Sequence, residues 1–329
     1  MISLNPERIQ SLATSLQTIP LSPNHAELAA PRFACDDETY FRSVLCAMAI
    51  CHATKGGLSG LFHGKSMKGT DFLLHAFGTM GETNPEALDP KNILTLSADG
   101  LRGLLTANAQ NATLALTDLD RRAEILRTLA ADLIRLFDGR VSNLLEQAQH
   151  RIGGDTGAYQ QLAKLTAYQD PLHKKSGAFL LVIFFSGRWI IHDIEHAKPM
   201  VDYHKIRLFC RMGCIDIQDQ ELAQKLRDQQ PVSNEIGEQL RDLSGQLMRQ
   251  LIQHTGRSLF ELDIMLWTFA RSACRRTPVC VNGNRTENNS FEETTGLSVP
   301  PCPGANWCPG AHDESFRFFW EPQVTTEDY

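Results

Sequence analysis

The stretch DLDRRAEILRTLAADLIRLF, residues 118–137, leaves this chain little choice of architecture. Leu119, Ile125, Leu126, Leu129, Leu133, Ile134 and Phe137 recur at helical spacing, and the stripe they form must be buried against other elements. The same period predicts helices over 38–53, 69–78, 141–149, 157–168, 219–228, 235–254 and 258–273. LSADGLRGLLTA opens on Ser97 and Asp99, which read as the cap of a short helix. Alternation with a period of two is scarce, and RWIIHDIEHA (188–197) has β-branched character but stands alone. A chain of 329 residues has room for two sub-domains, and the expected class is all-α.

No apolar run approaches the roughly 20 residues that a membrane span needs. The longest, GAFLLVIFF (177–185), reads as a buried core element. MISLNPERIQ lacks both the basic and the apolar region of a signal peptide, so a cytoplasmic protein without a membrane partner is expected. In that compartment the nine cysteines are expected to be buried thiols or metal ligands, not disulfides. A net charge of −6 argues against a protein that coats nucleic acid. Its distribution is uneven, however. Lys174, Lys175, Arg188, Lys198, Lys205, Arg207 and Arg211 face only Asp193, Glu195 and Asp202 between 174 and 211, so the middle of the chain is locally positive.

Residues 277–313 break the pattern, being rich in Asn, Gly, Pro and Thr and without helical periodicity. Such a segment needs something other than an apolar core to hold it. Cys274, Cys280, Cys302 and Cys308 follow C-x5-C-x21-C-x5-C, the last pair within PPCPGANWCPG. Four thiolates converging from an irregular loop are what a [4Fe–4S] cluster or a tetrahedral structural zinc requires. The Cys-Pro pairs and the lack of a C-x2-C pair lean towards iron–sulfur. Cys46, Cys51, Cys210 and Cys214 read as core residues.

PMVDYHKIRLFCRMG (199–213) follows its proline with an amphipathic helix whose first turn carries Asp202. The ordinary role of an aspartate there is capping. Upstream, QDPLHKKSGAFLLVIFF puts Lys174 and Lys175 at the mouth of an apolar helix. Cations there anchor the polar end of a buried helix, or a desolvated amine acts as a nucleophile. An amine and a carboxylate brought together could attack a sugar C1′ and stabilise the cationic transition state.

In this order, the lysine, the VDYH helix start, the D-x-x-LW-x-x-x-R helix from Asp263 to Arg271 and the cysteines resemble the helix-hairpin-helix DNA glycosylase superfamily. PMVDYHKIRLFCRMGCIDI and LFELDIMLWTFARSAC look most like archaeal 8-oxoguanine DNA glycosylases, and ARSACRRTPVC with the later cysteines is similar to the iron–sulfur loop of the endonuclease III branch. The queuosine-salvage N-glycosidase family is similar too, through LSADGLRGLL, FDGRVSNLLEQA and the lysine–aspartate pair.

The resemblance spans about 90–320 and implies two helical sub-domains flanking a cleft. Residues 36–185 would form a helical barrel with a degenerate hairpin; 1–35 with 186–329 would carry the catalytic aspartate and the four-cysteine loop. Lys175 would be the amine nucleophile and Asp202 the acid that steadies the oxocarbenium ion. Lys174, Trp189, Tyr203, His204, Trp267 and Asp263 would surround the substrate, and Arg188, Lys205, Arg207 and Arg211 would hold DNA phosphates. Cys274, Cys280, Cys302 and Cys308 would hold the [4Fe–4S] cluster. The implied function is a monomeric DNA glycosylase that flips a modified or damaged base out of double-stranded DNA and cleaves its N-glycosidic bond, with a lysine-dependent lyase step as an extension. A nucleotide N-glycosidase acting on a small modified nucleotide such as queuosine 5′-phosphate, and a non-catalytic metal-cluster binding module, stand as alternatives. Two departures bear on the choice. DPLHKK lacks the hairpin glycines that present amides to a phosphate, and 21 residues separate the middle cysteines.

Overall fold

The computed structural model describes every residue except 55, 284–288, 300, 325, 328 and 329. Helix accounts for 57% and strand for 7% of the described chain, the mostly helical outcome that the 3.6-residue periods demand. The chain divides into two compact units, one of residues 1–28 with 198–326 and one of 29–197 with 327–329.

The unit of residues 29–197 is organised around the helix Asp37–Ala49. Asp36 caps it, its Oδ1 accepting the Thr39 amide at 2.9 Å. From Thr39 to Ala49 every residue but Arg42 is buried, so the helix is apolar nearly all round and other helices enclose it. Thr70–Thr83, Leu119–Phe137, Val141–Gln147 and Lys174–Phe185 all pack on it. Val141–Gln147 has no capping side chain of its own. Glu38 of the central helix supplies one, accepting the amides of Val141 and Ser142 at 2.9 and 2.8 Å. The short helix Ala98–Thr106 is capped by Ser97 as its sequence predicts, with the Gly100 amide 3.0 Å from the hydroxyl.

This unit also holds a small antiparallel sheet in the order Lys65–Lys68, Leu58–Phe62, Gln110–Leu114. It lies outside the sequence expectation, because strands of four or five residues are too short to show a period of two. Its hairpin turns on His63 and Gly64, both left-handed at φ 48° and 76°, the geometry of a two-residue turn that suits the twist of the flanking strands. Residues 188–197 form no strand and include only the 3-10 turn Ile194–His196.

The other unit opens on the strand Ile2–Leu4, paired antiparallel with Ile215–Ile217. Its larger helices are Pro6–Thr18, Tyr203–Arg211, Gln220–Arg227, Asn234–Thr255 and Leu259–Ser272. The last begins with a reciprocal capping box between Ser258 and Glu261. After it the cysteine-bearing segment breaks into helical pieces of four to six residues: Val279–Asn282, Ser290–Thr295, Pro309–His312 and Glu314–Arg317. Pieces of this length have no periodicity to read, which is why the segment looks irregular in sequence. Among the described residues no helix is long and apolar enough to cross a membrane.

Candidate functional site

Asp202 is the N-cap of the helix Tyr203–Arg211, its Oδ1 accepting the Lys205 amide at 3.0 Å. Its side chain is 12% exposed, so the carboxylate needs a counter-charge. Lys205 provides one. Its Nζ donates to the Met200 carbonyl at 2.9 Å and lies 3.1 Å from Asp263 Oδ1 and 4.0 Å from Asp202 Oδ1. Two carboxylates from two helices thus share one buried ammonium. Tyr203 and His204 follow, their rings 4.2 Å apart. Burial drives the His204 imidazole down to about 3 against the pull of Asp202, with Arg207 and Arg271 adding to the fall, so the ring is neutral at ordinary pH. Burial likewise raises the Tyr203 phenol well above its usual range, and the Asp202 charge pushes the same way.

The cations expected to hold phosphates are buried on this helix. Lys205, Arg207 and Arg211 are each 2% exposed, and their donors go inward. Arg207 pairs with Glu321 at 2.6 Å and donates to the Ala270 carbonyl at 2.9 Å. Arg211 donates to the carbonyls of Phe319 at 2.8 Å and Arg275 at 2.6 Å. Glu321 escaped sequence reasoning, since a partner 114 positions away leaves no local signal.

Where Asp202 begins this helix, Arg211 and Met212 at its far end line a cavity with Cys274, Cys280, Cys302 and Cys308. The cavity holds about 360 Å³ of space outside the protein atoms, its open mouth included. Gly310 lets the loop approach this closely, because a Cβ there would stand 2.8 Å from the Arg211 carbonyl oxygen. Arg211 Nη1 lies 3.9 Å from Cys274 Sγ, and Cys308 Sγ donates to the Arg211 carbonyl at 3.6 Å. Burial, and after it the charge of Cys274, pushes the Cys302 and Cys308 thiols up to about 12 and Cys280 upwards. Metal binding here would have to displace those protons. Four thiols line one cavity, which is the donor chemistry, though not a shown arrangement, of a thiolate-ligated cluster or ion. Among the described residues no group of three or more His, Cys, Asp or Glu is arranged to hold a metal ion.

In the other unit Lys174 and Lys175 open the helix Lys174–Phe185. Lys175 is only 4% exposed, while Lys174 donates from Nζ to Cys51 Sγ at 3.0 Å. The turn before them is built by DPLHKK. Asp170 accepts the amides of Leu172 and Lys174 at 2.9 and 2.7 Å, and His173 adopts the left-handed conformation (φ 55°) that a glycine takes most easily. The chain thus places its own carboxylate on amides that face an anion in a glycine-bearing hairpin.

Beside Cys51, His52 was not anticipated. Its Nε2 lies 3.4 Å from Asp118 Oδ2, and Asp118 Oδ1 accepts from Arg122 at 2.8 Å. Arg122 is fully buried and also donates to the carbonyls of Ile50 and His52. A signal did exist, because Arg122 falls on the apolar stripe of the 118–137 period. Burial, seconded by the charges of Arg122 and Lys175, drives His52 down to about 4.

The remaining expectations land on packed positions. Trp189, expected beside the substrate, is buried and stacked on His150 with ring centroids 5.8 Å apart. Arg188 is tied to Asp37 at 2.5 Å and to the carbonyls of Cys35 and Phe33, and it lies over the Tyr40 ring, so three of its five N–H donors are engaged within the unit. Trp267 is partly exposed, with the Arg271 guanidinium 4.1 Å above its ring. No family model matches the chain, and a comparison with curated proteins returns no match.

Proposed function

We propose that the protein is a DNA N-glycosylase that excises a modified base and carries a thiolate-held [4Fe–4S] cluster. The observation that supports it best is a single helix with two functional ends: Asp202 caps its start, and its last turn borders the cavity lined by all four cysteines. In this reading the charge of Asp202 steadies the positive charge that develops on the sugar as the glycosidic bond breaks. Lys175 is the amine that attacks C1′. When bound, the cluster would tie together the cysteine-bearing parts of the segment after Cys274, adding to the packing of Ser290–Thr295 on Leu259–Ser272. Cys274, Cys280, Cys302 and Cys308 would hold it, and Arg211 would supply a positive charge beside it.

Borohydride trapping against a panel of duplexes bearing modified bases tests the activity. A covalent adduct that forms with the full chain and is lost in Lys175→Ala supports the reading; no adduct and no base release from any duplex removes it. Visible absorbance and iron content after anaerobic purification test the cluster, and a colourless protein carrying zinc would replace it with a structural ion.

A second reading, hydrolysis of a small modified nucleotide such as queuosine 5′-phosphate, is favoured by two observations. Asp170 occupies the hairpin amides, and the cations of the Asp202 helix are turned inward. Both remove phosphate contacts that duplex binding would use. Release of the free base from the nucleotide, insensitive to salt, would select it over the first.

A further inference from the structure

We propose that Cys51 and Lys174 form a modification site at which peroxide joins Sγ to Nζ by a sulfenamide bond. This chemistry is separate from the glycosidic reading and does not depend on it. Lys174 Nζ donates to Cys51 Sγ at 3.0 Å, across 123 positions of sequence, so an amine and a thiol stand in direct contact. The reaction needs that approach and no more. Further partners of the lysine leave it in place.

Both members of the pair are held from outside. Cys51 comes just after the helix Asp37–Ala49, and the fully buried Arg122 donates to the carbonyls on either side of it, those of Ile50 and His52, the second at 2.8 Å. Asp118 in turn accepts from Arg122 Nε at 2.8 Å. Lys174 opens the helix Lys174–Phe185, which packs on Asp37–Ala49, and its amide donates to Asp170 Oδ2 at 2.7 Å. Two sets of bonds through different residues thus bring sulfur and nitrogen together. Groups held this way react as parts of one molecule, without the entropic cost of an encounter.

Cys51 is 4% exposed and Lys174 is partly exposed, so the pair lies at the edge of the core, within reach of an oxidant as small as hydrogen peroxide. The thiolate attacks one peroxide oxygen. An S–O bond forms, the O–O bond breaks and water leaves, the sulfur having given up two electrons to become a sulfenic acid. The neutral amine of Lys174 then attacks that sulfur. The S–N bond forms, the S–O bond breaks, and the departing hydroxide takes the proton from nitrogen and leaves as water. One thiol, one amine and one peroxide give one sulfenamide and two waters. A thiol reductant attacks the sulfur and returns the amine, and a second thiol frees Cys51. Burial favours capture by the adjoining amine over a second peroxide, which would carry the sulfur to the irreversible sulfinic acid. The new bond also removes one of two positive charges from the positive end of the helix dipole.

The test treats the full chain with hydrogen peroxide in mildly alkaline buffer, where amines are partly neutral, then digests it at acidic residues for peptide mass spectrometry. The expected product is a peptide pair joined between residues 51 and 174, about 2 Da lighter than its two parts combined and separated again by dithiothreitol. It should be lost in Cys51→Ser and in Lys174→Arg, whose guanidinium keeps the charge but is a poor nucleophile. A Cys51 that stays reduced while other cysteines react, pairs with another cysteine or stops at the sulfinic acid overturns the proposal. So does a cross-link that persists in Lys174→Arg. A joined pair about 14 Da heavier than its parts would carry an oxygen between sulfur and nitrogen, and it overturns the direct bond. If Cys51→Ser does not fold, Lys174→Arg, changed at a partly exposed position, decides alone.

Discussion

The helices Tyr203–Arg211 and Lys174–Phe185, one in each unit, differ most in where their charges stand. The first has an aspartate at its N-cap and an arginine in its last turn, the arrangement that complements the helix dipole. The second places two lysines in its first turn, at the positive end of the dipole, behind a left-handed His173 that provides no side-chain cap. A like charge at that end typically costs about 0.3–1 kcal/mol. The difference teaches that the first helix follows the dipole rule at both ends, whereas the second sets two cations at its positive end and answers them with the Asp170 carboxylate on the Lys174 amide. Departures from local rules concentrate at functional places, and Lys174–Lys175 is such a departure.

Four measurements would break or sharpen that contrast. The largest effect is expected at the far end of the first helix, where Cys302→Ala should abolish metal binding and lower stability by about 4–5 kcal/mol, the range in which loss of a metal falls. Retained metal would remove Cys302 from its ligands, and a protein without metal whose melting curve is unchanged would show that the end beyond Arg211 is held by packing alone. Next, Asp202→Asn separates the cap from the chemistry. Asparagine caps as well as aspartate, so the cap itself should account for less than about 0.5 kcal/mol, and any larger loss measures the charge shared with Lys205. Base release should nevertheless fall about 10²–10³-fold. Equal losses of stability and activity would make Asp202 a structural residue.

Acidification comes third. Unfolded histidines take up protons near 6.5, while His52 and His204 wait until about 4 and 3, so the unfolded state binds more protons in that window. Denaturation at about pH 5 should therefore show lower stability than at about pH 7, and His52→Gln and His204→Gln should each shrink the difference. A chain equally stable at both would mean that these rings are hydrated. The smallest effect belongs to the second helix. Lys175→Met should keep or raise stability by about 0.3–1 kcal/mol while abolishing borohydride trapping, and a clear destabilisation would give the lysine a structural role.

Much of the fold was legible because long helices repeat their pattern often. Periods over 118–137, 235–254 and 258–273 return as Leu119–Phe137, Asn234–Thr255 and Leu259–Ser272 with ends within a residue or two. Asp202 and Ser97 were readable as caps because a cap bonds only three residues ahead. The sheet and the helical pieces after Cys274 were not, being shorter than the periods that would reveal them. The cations of 205–211 misled for another reason. An amphipathic pattern says which face is charged but not that Asp263, Glu321 and the Phe319 carbonyl wait to receive those charges inside. His52 was hidden in the same way, since its environment is built by Asp118 and Arg122 from a different helix.

The strand Lys65–Lys68 forms one rim of the three-stranded sheet, and three of its four residues stand in solvent, both lysines among them. Its unpaired amides and carbonyls are a template on which a strand from another molecule could grow. Two ammonium groups along four residues make a second copy of the same rim repel the first. The two lysines therefore disfavour edge-to-edge pairing at this rim of the sheet.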